Sequence, residues 1–222
     1  PTLHTIANAG GDDTYTVDWS AVMGAETYTL EEDDNTGFTS PTARYSGADS
    51  EYAVSGQAGG TWYYRVRASN AGGDSGWSNT ESVGVKPAAP TLYAISNADQ
   101  DGTYTVDWAS VAGATSYMLE EDDDPGFSSP AVAYTGGDTD CVVEGQTTGI
   151  WYYRVLASNG AGDSDWSNVE STAVAPDAPT LFGIANPDKD GDYAIDWAAV
   201  SGAESYTLEE DGSGDFSSPT TL

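Results

Sequence analysis

The chain repeats with a period of 89 residues and shows no insertion or deletion between copies. Pro1, Pro90 and Pro179 each open a Pro-Thr-Leu segment. Tyr15/Tyr104/Tyr193, Trp19/Trp108/Trp197 and Phe38/Phe127/Phe216 then recur at the same offset. Such spacing is the signature of one folding unit stacked in series, so any fold proposed for one copy must suit the others. The boundaries fall at 1–89, 90–178 and 179–222. Because 222 − 2×89 leaves 44, the last segment is only the front half of a unit. A half unit exposes its core and its strand edges, so it calls for strands from a neighbour or for a longer array, of which the longer array is the expectation for the covalent chain.

A unit of 89 residues is long enough to bury a core of its own. Aromatic residues make up 11% of the chain, with 7 Trp and 14 Tyr, and 26 Gly are available for turns. That is a folded, β-rich composition. The 36 acidic residues face 6 basic ones, for a net charge of −30. Nucleic acid and anionic membranes are therefore excluded as partners, and no apolar run is long enough to insert in a bilayer.

Within the first copy, residues 14–19 alternate with period two, placing Tyr15, Val17 and Trp19 on one face. This is a half-buried strand. Further strands are expected at Tyr28 and Leu30, at Tyr45, at Tyr52 and Val54, and at Val83 and Val85, with Gly24, Gly37, Gly47 and Gly56 between them. In the strongest strand Trp62, Tyr64, Val66 and Ala68 face inward, while Tyr63, Arg65 and Arg67 face out. No helical period is sustained, so the fold class is all-β, an antiparallel sandwich.

The order Pro-x-Leu, Trp19, Tyr28-x-Leu30, then Tyr64-Arg-Val-Arg-Ala-Ser-Asn70 and Gly72 resembles a fibronectin type III domain. The resemblance covers both complete copies and extends to Pro219 in the third. It implies immunoglobulin-like sandwiches in tandem, two complete and one half, of the sort used as spacers, adhesion modules and receptor segments, as in bacterial secreted and cell-surface repeat proteins. One departure stands out. The family's sixth strand usually begins with a Tyr whose hydroxyl pins a corner, and here Trp62 and Trp151 occupy that place, so the corner bond must be made by an indole N–H. There is no Arg-Gly-Asp.

Catalysis needs a poised nucleophile, base or metal, and the chain has one His and one Cys. His4 aligns with Tyr93 and Phe182 at an aromatic position of the first strand. Cys141 replaces Tyr52 of the first copy and reads as a small hydrophobe. No catalytic, cofactor-binding or metal residue is assigned, and the chain is not read as an enzyme. The loops with Asp99/Asp101 and Asp188/Asp190 have the oxygen-rich spacing of a calcium turn but lack the closing glutamate, and Asp, Asn and Gly are also simply turn formers. The acidic runs 31–34, 120–124 and 209–211 are expected after the third strand, near the junction to the next unit, where an ion would stiffen a rod. Arg65 and Arg67 should stack on Trp77, and Arg154 on Trp166. Outward Tyr63 and Tyr152 offer sugar rings a stacking surface. No Asn-x-Ser/Thr sequon occurs, which leaves O-glycans on the abundant Ser and Thr as the form glycosylation would take.

The links 85–90 and 174–179 are short and bracketed by proline, which favours extended backbone and units held nearly in line. The expectation is a rigid structural rod of a prokaryotic-type cell surface or secreted filament. It would self-associate into a fibre or be completed by a neighbouring repeat. The alternatives are a carbohydrate- or ligand-binding module of a secreted enzyme, and an adhesin or receptor ectodomain.

Overall fold

The computed structural model describes residues 1–187 and 191–222. Its elements are all strands. In the first copy β1 (Tyr15–Asp18) pairs with β4 (Glu51–Val54), and an isolated bridge from Leu3 to Trp19 adds the opening segment to that side. The facing sheet runs β3 (Thr42–Gly47), β2 (Thr27–Asp33), β5 (Gly60–Asn70) and β6 (Gly73–Asp74), with β7 (Glu81–Val85) also paired to β5. Every pairing is antiparallel.

The second copy repeats this 89 residues on. There β8 (Tyr104–Asp107) pairs with β11 (Asp140–Val143), and Leu92 bridges Trp108. The other sheet holds β10 (Ala131–Gly136), β9 (Ser116–Asp122), β12 (Gly149–Asn159), β13 (Gly162–Asp163) and β14 (Glu170–Val174).

The alternation read in the sequence sets the core. Val17 and Trp19 meet Leu30, Val54, Tyr64, Val66 and Val85 between the sheets. Each fully buried Val or Leu contributes about 1.5–3 kcal/mol of transfer free energy. The eleven-residue β5 pairs along both edges, with β2 and with β7, and so ties the sheet together.

The corner is closed by tryptophan. Trp62 Nε1 donates to the carbonyl of Ala58 at 2.8 Å, and Trp151 Nε1 donates to that of Thr147 at 2.8 Å. The Trp-Ser-Asn segment after β6 carries two more fastenings. Ser78 Oγ accepts from Val66 N at 3.0 Å, while Asn79 accepts from Leu3 N at 2.9 Å and donates to Leu3 O at 3.1 Å. Asn168 clamps Leu92 in the same way.

The third copy is partly ordered by the same rules. Leu181 bridges Trp197, whose ring lies 5.6 Å from that of Tyr206. A short β15 (Glu209–Glu210) pairs with β16 (Thr220–Thr221) in the register of β2 with β3. Residues 193–196, however, form no ladder, because the partner that β4 supplies in the first copy has no counterpart in this segment.

Candidate functional site

Two places gather side chains beyond what one sandwich needs: the junction between the complete copies and the outer face of the larger sheet.

At the junction, Asn159 ends β12. Its Oδ1 accepts from Ala161 N at 2.8 Å and its Nδ2 donates to Gly113 O at 3.1 Å, folding the loop after β12 onto its own unit. Asn70 does the same with Gly72 and Gly24. In the second copy the amide also donates to Val85 O, at the end of the first unit, at 2.8 Å. Backbone meets backbone nearby. A Cβ placed on Gly113 would lie 1.9 Å from Gly59 O, and Gly113 has φ of 74°. Gly24, its counterpart on the far pole of the first copy, has φ of 83° with nothing within 4 Å. The conformation is thus intrinsic to the loop, while the close approach belongs to the junction. Lys86 N donates to Gly11 O at 2.8 Å, and its aliphatic stem lies against Gly11 and Gly162. A cleft of about 490 Å³ remains between the units, with Asp12, Asp13, Asp163 and Asp165 around Lys86. Farther on, Ala175 N donates to Gln100 O as Lys86 does to Gly11, and Gly202 abuts Thr148.

On the outer sheet face the guanidinium of Arg65 lies between two rings, 4.2 Å from Phe38 and 4.3 Å from Trp77, and bonds Glu31 Oε2 at 2.7 Å. Arg67 stacks on Trp77 at 4.9 Å and pairs with Asp74. Arg154 sits likewise between Phe127 and Trp166 and bonds Glu120. The Trp partners were expected, and the Phe partners were not. Phe38 and Phe127 have φ of 46° and 51°, a conformation costly for a large side chain. The recurrence of Phe in a turn was the sequence signal for this second ring. Tyr63 and Tyr152 stand half-buried in the same face and form no open platform.

Buried polar groups form a third set. Tyr15 and Tyr64 share a hydrogen bond of 2.8 Å, and Tyr64 donates to buried Glu32, which also faces Arg44 and Gln57. Burial pushes the Tyr15 phenol up to about 12, and it pushes Tyr64, Tyr104 and Tyr153 up as well. In the second copy Ala133 stands where Arg44 does in the first.

The acidic runs are placed differently from the sequence expectation. Residues 31–33 belong to β2 itself rather than following it, because Glu31 and Glu32 find partners on β5. Asp33 accepts from Ser40 N at 2.9 Å, and Asp122 from Ser129 N at 2.9 Å. Burial favours their neutral forms, yet these amide bonds outweigh it and hold both carboxyls below the usual range. Asp101 accepts from Thr103 N, and Asn97 donates to Asp101 O and Ala173 O. Asp99 is exposed and touches no partner named here, and Asp188 and Asp190 lie outside the described residues. Among the described residues no three His, Cys, Asp or Glu are grouped to hold a metal. His4 is exposed and faces Asp18 at 2.6 Å. Cys141 packs half-buried at the edge of the second core, where burial raises its thiol.

No protein-family profile matches the chain. Human fibronectin type III domain-containing protein 7 is 30% identical over 129 residues, 57% of this chain and 17% of that protein. The chain therefore spans about a sixth of that relative. A two-domain fibronectin type III segment of chicken tenascin superposes with a TM-score of 0.51 at 15% identity, covering 78% of this chain and 97% of that one. The architecture here is that of tandem fibronectin type III-like domains. No helix among the described residues is long and apolar enough to cross a membrane.

Proposed function

We propose that this tandem of fibronectin type III-like domains is a structural, non-enzymatic rod, working at a cell surface or in a secreted filament. The observation that carries the reading is the junction, where the Asn159 amide reaches across to Val85 O and Gly113 meets Gly59 backbone to backbone. Proline-bracketed linkers and repeated contacts fix one rotation per unit, which is what a thread of constant pitch requires. The net charge of −30 keeps such threads apart by repulsion. Assembly through further repeats, or through completion of the third copy, belongs to this reading.

The test is small-angle scattering on the 222-residue chain. Gly113→Ala combines a backbone clash with a left-handed φ, whereas Gly24→Ala carries the φ cost alone. The rod reading expects Gly24→Ala to keep the wild-type distance distribution, and Gly113→Ala to broaden it as the units swing free. Identical profiles for the two variants would remove the junction as the source of stiffness.

A further inference from the structure

Residues 179–222 present an open apolar face whose cover is seen elsewhere in the same chain. In the first copy Leu3, Ile6, Tyr28 and Phe38 are at most 8% exposed. At the same places Leu181, Ile184, Tyr206 and Phe216 are 40–56% exposed. What covers the first set is the segment carrying β4, β5 and β7.

The polar anchors for that cover are also repeated. Arg65 of β5 bonds Glu31 and lies over Phe38, and Asn79 holds both backbone polar groups of Leu3. Glu209, Phe216 and Leu181 stand at the matching offsets of 178. Phe216 keeps φ at 45° beside 46° for Phe38, and β15 with β16 keeps the register of β2 with β3.

The complete copies differ in one cross-strand pair that the third copy discriminates. Thr29 faces Arg67 across β2 and β5, whereas Met118 faces Leu156 across β9 and β12. The third copy carries Thr207 there, as the first does. A polar Thr suits the stem and charge of Arg, while Met suits Leu.

We propose that residues 179–222 are an acceptor for a β-segment of a second polypeptide. That segment carries the Arg-Val-Arg strand and Trp-Ser-Asn turn of the first copy in preference to the Arg-Val-Leu strand of the second. Its main chain completes the open strand edges, the first Arg bonds Glu209 and stacks on Phe216, and the Asn clamps Leu181. This deepens the reading of the chain as a unit of a larger assembly and rests on it.

The experiment titrates the 222-residue chain with two labelled segments, residues 45–86 and residues 134–175, each fused to a soluble carrier, and follows anisotropy and amide exchange. The 45–86 segment should bind and slow exchange at Tyr206 and Leu208, with about a fivefold preference over 134–175, the scale of one cross-strand pair. Arg65→Ala in the segment should weaken binding by more than about tenfold. Thr207→Met in the chain should shift the preference toward 134–175. No binding by either segment, or binding indifferent to Arg65 and Thr207, would overturn the assignment. The scattering comparison at Gly113 reports on the rod independently of either result.

Discussion

Trp62 occupies a place where the related fold normally sets a tyrosine, and it keeps the corner by a different donor. The indole N–H reaches the carbonyl of Ala58 four residues upstream. Replacing Trp62 with Phe removes that bond while keeping much of the apolar contact, so the cost should be about 1 kcal/mol, read as a lower denaturant midpoint. The buried phenols give a second residue-scale prediction. Tyr15 is raised to about 12, mainly by burial, with the negative Glu32 adding to it and the Tyr64 hydrogen bond opposing it. A raised acid stabilises the fold fully below its ordinary value near 10 and loses that contribution as pH climbs through the folded value. Absorbance at alkaline pH should therefore show the exposed tyrosines ionising first and Tyr15 only near pH 12, together with unfolding. Ionisation of every tyrosine near 10 in a still-folded chain would contradict this. These roles were half legible: the Trp substitution was visible, but the carbonyl it meets is set by the turn.

At the scale of elements, the outer face of β2 and β5 is held by a guanidinium between two rings. The sequence indicated Trp77 because it follows β5 in a recurring Trp-Ser-Asn motif. It did not indicate Phe38, which approaches from the turn after β2 in a left-handed conformation. Such stacking is worth about 0.5–1 kcal/mol per ring at a partly exposed site, and the Glu31 bond adds to it. Arg65→Ala should thus lower stability by about 1–2 kcal/mol in thermal or denaturant unfolding, and Arg65→Lys should recover only part, since ammonium lacks the planar fork. The acidic turns lead to a further expectation. Asp33, Asp122 and Asp101 already serve backbone amides. A chelator added at constant ionic strength should leave the melting temperature unchanged, and a fall would point to an ion at the turns.

For the whole molecule, the 89-residue period, the inward face of each strand and the proline-bracketed links could all be read from residue order. They are consequences of local chemistry: alternation selects a strand face, glycine permits turns, and proline restricts the backbone on either side of a link. The same information implied that the third copy would expose its core. What residue order alone could not supply were the contacts between residues far apart in the chain. Asn159 is a loop-folding residue in its own unit, as Asn70 is, and only the docking of two units turns its second N–H toward Val85 O. Gly24 and Gly113 are indistinguishable as turn glycines, yet one faces open space and the other a carbonyl. Glu32 reads as one more surface acid until β5 brings Tyr64 over it. The sequence by itself determined the unit, its strand faces and the number of copies, because those depend on periodicity along the chain. The tertiary structure alone decided which identical-looking residues became joints, clamps and buried acids, because that depends on what each meets after the sheets pack and the units dock.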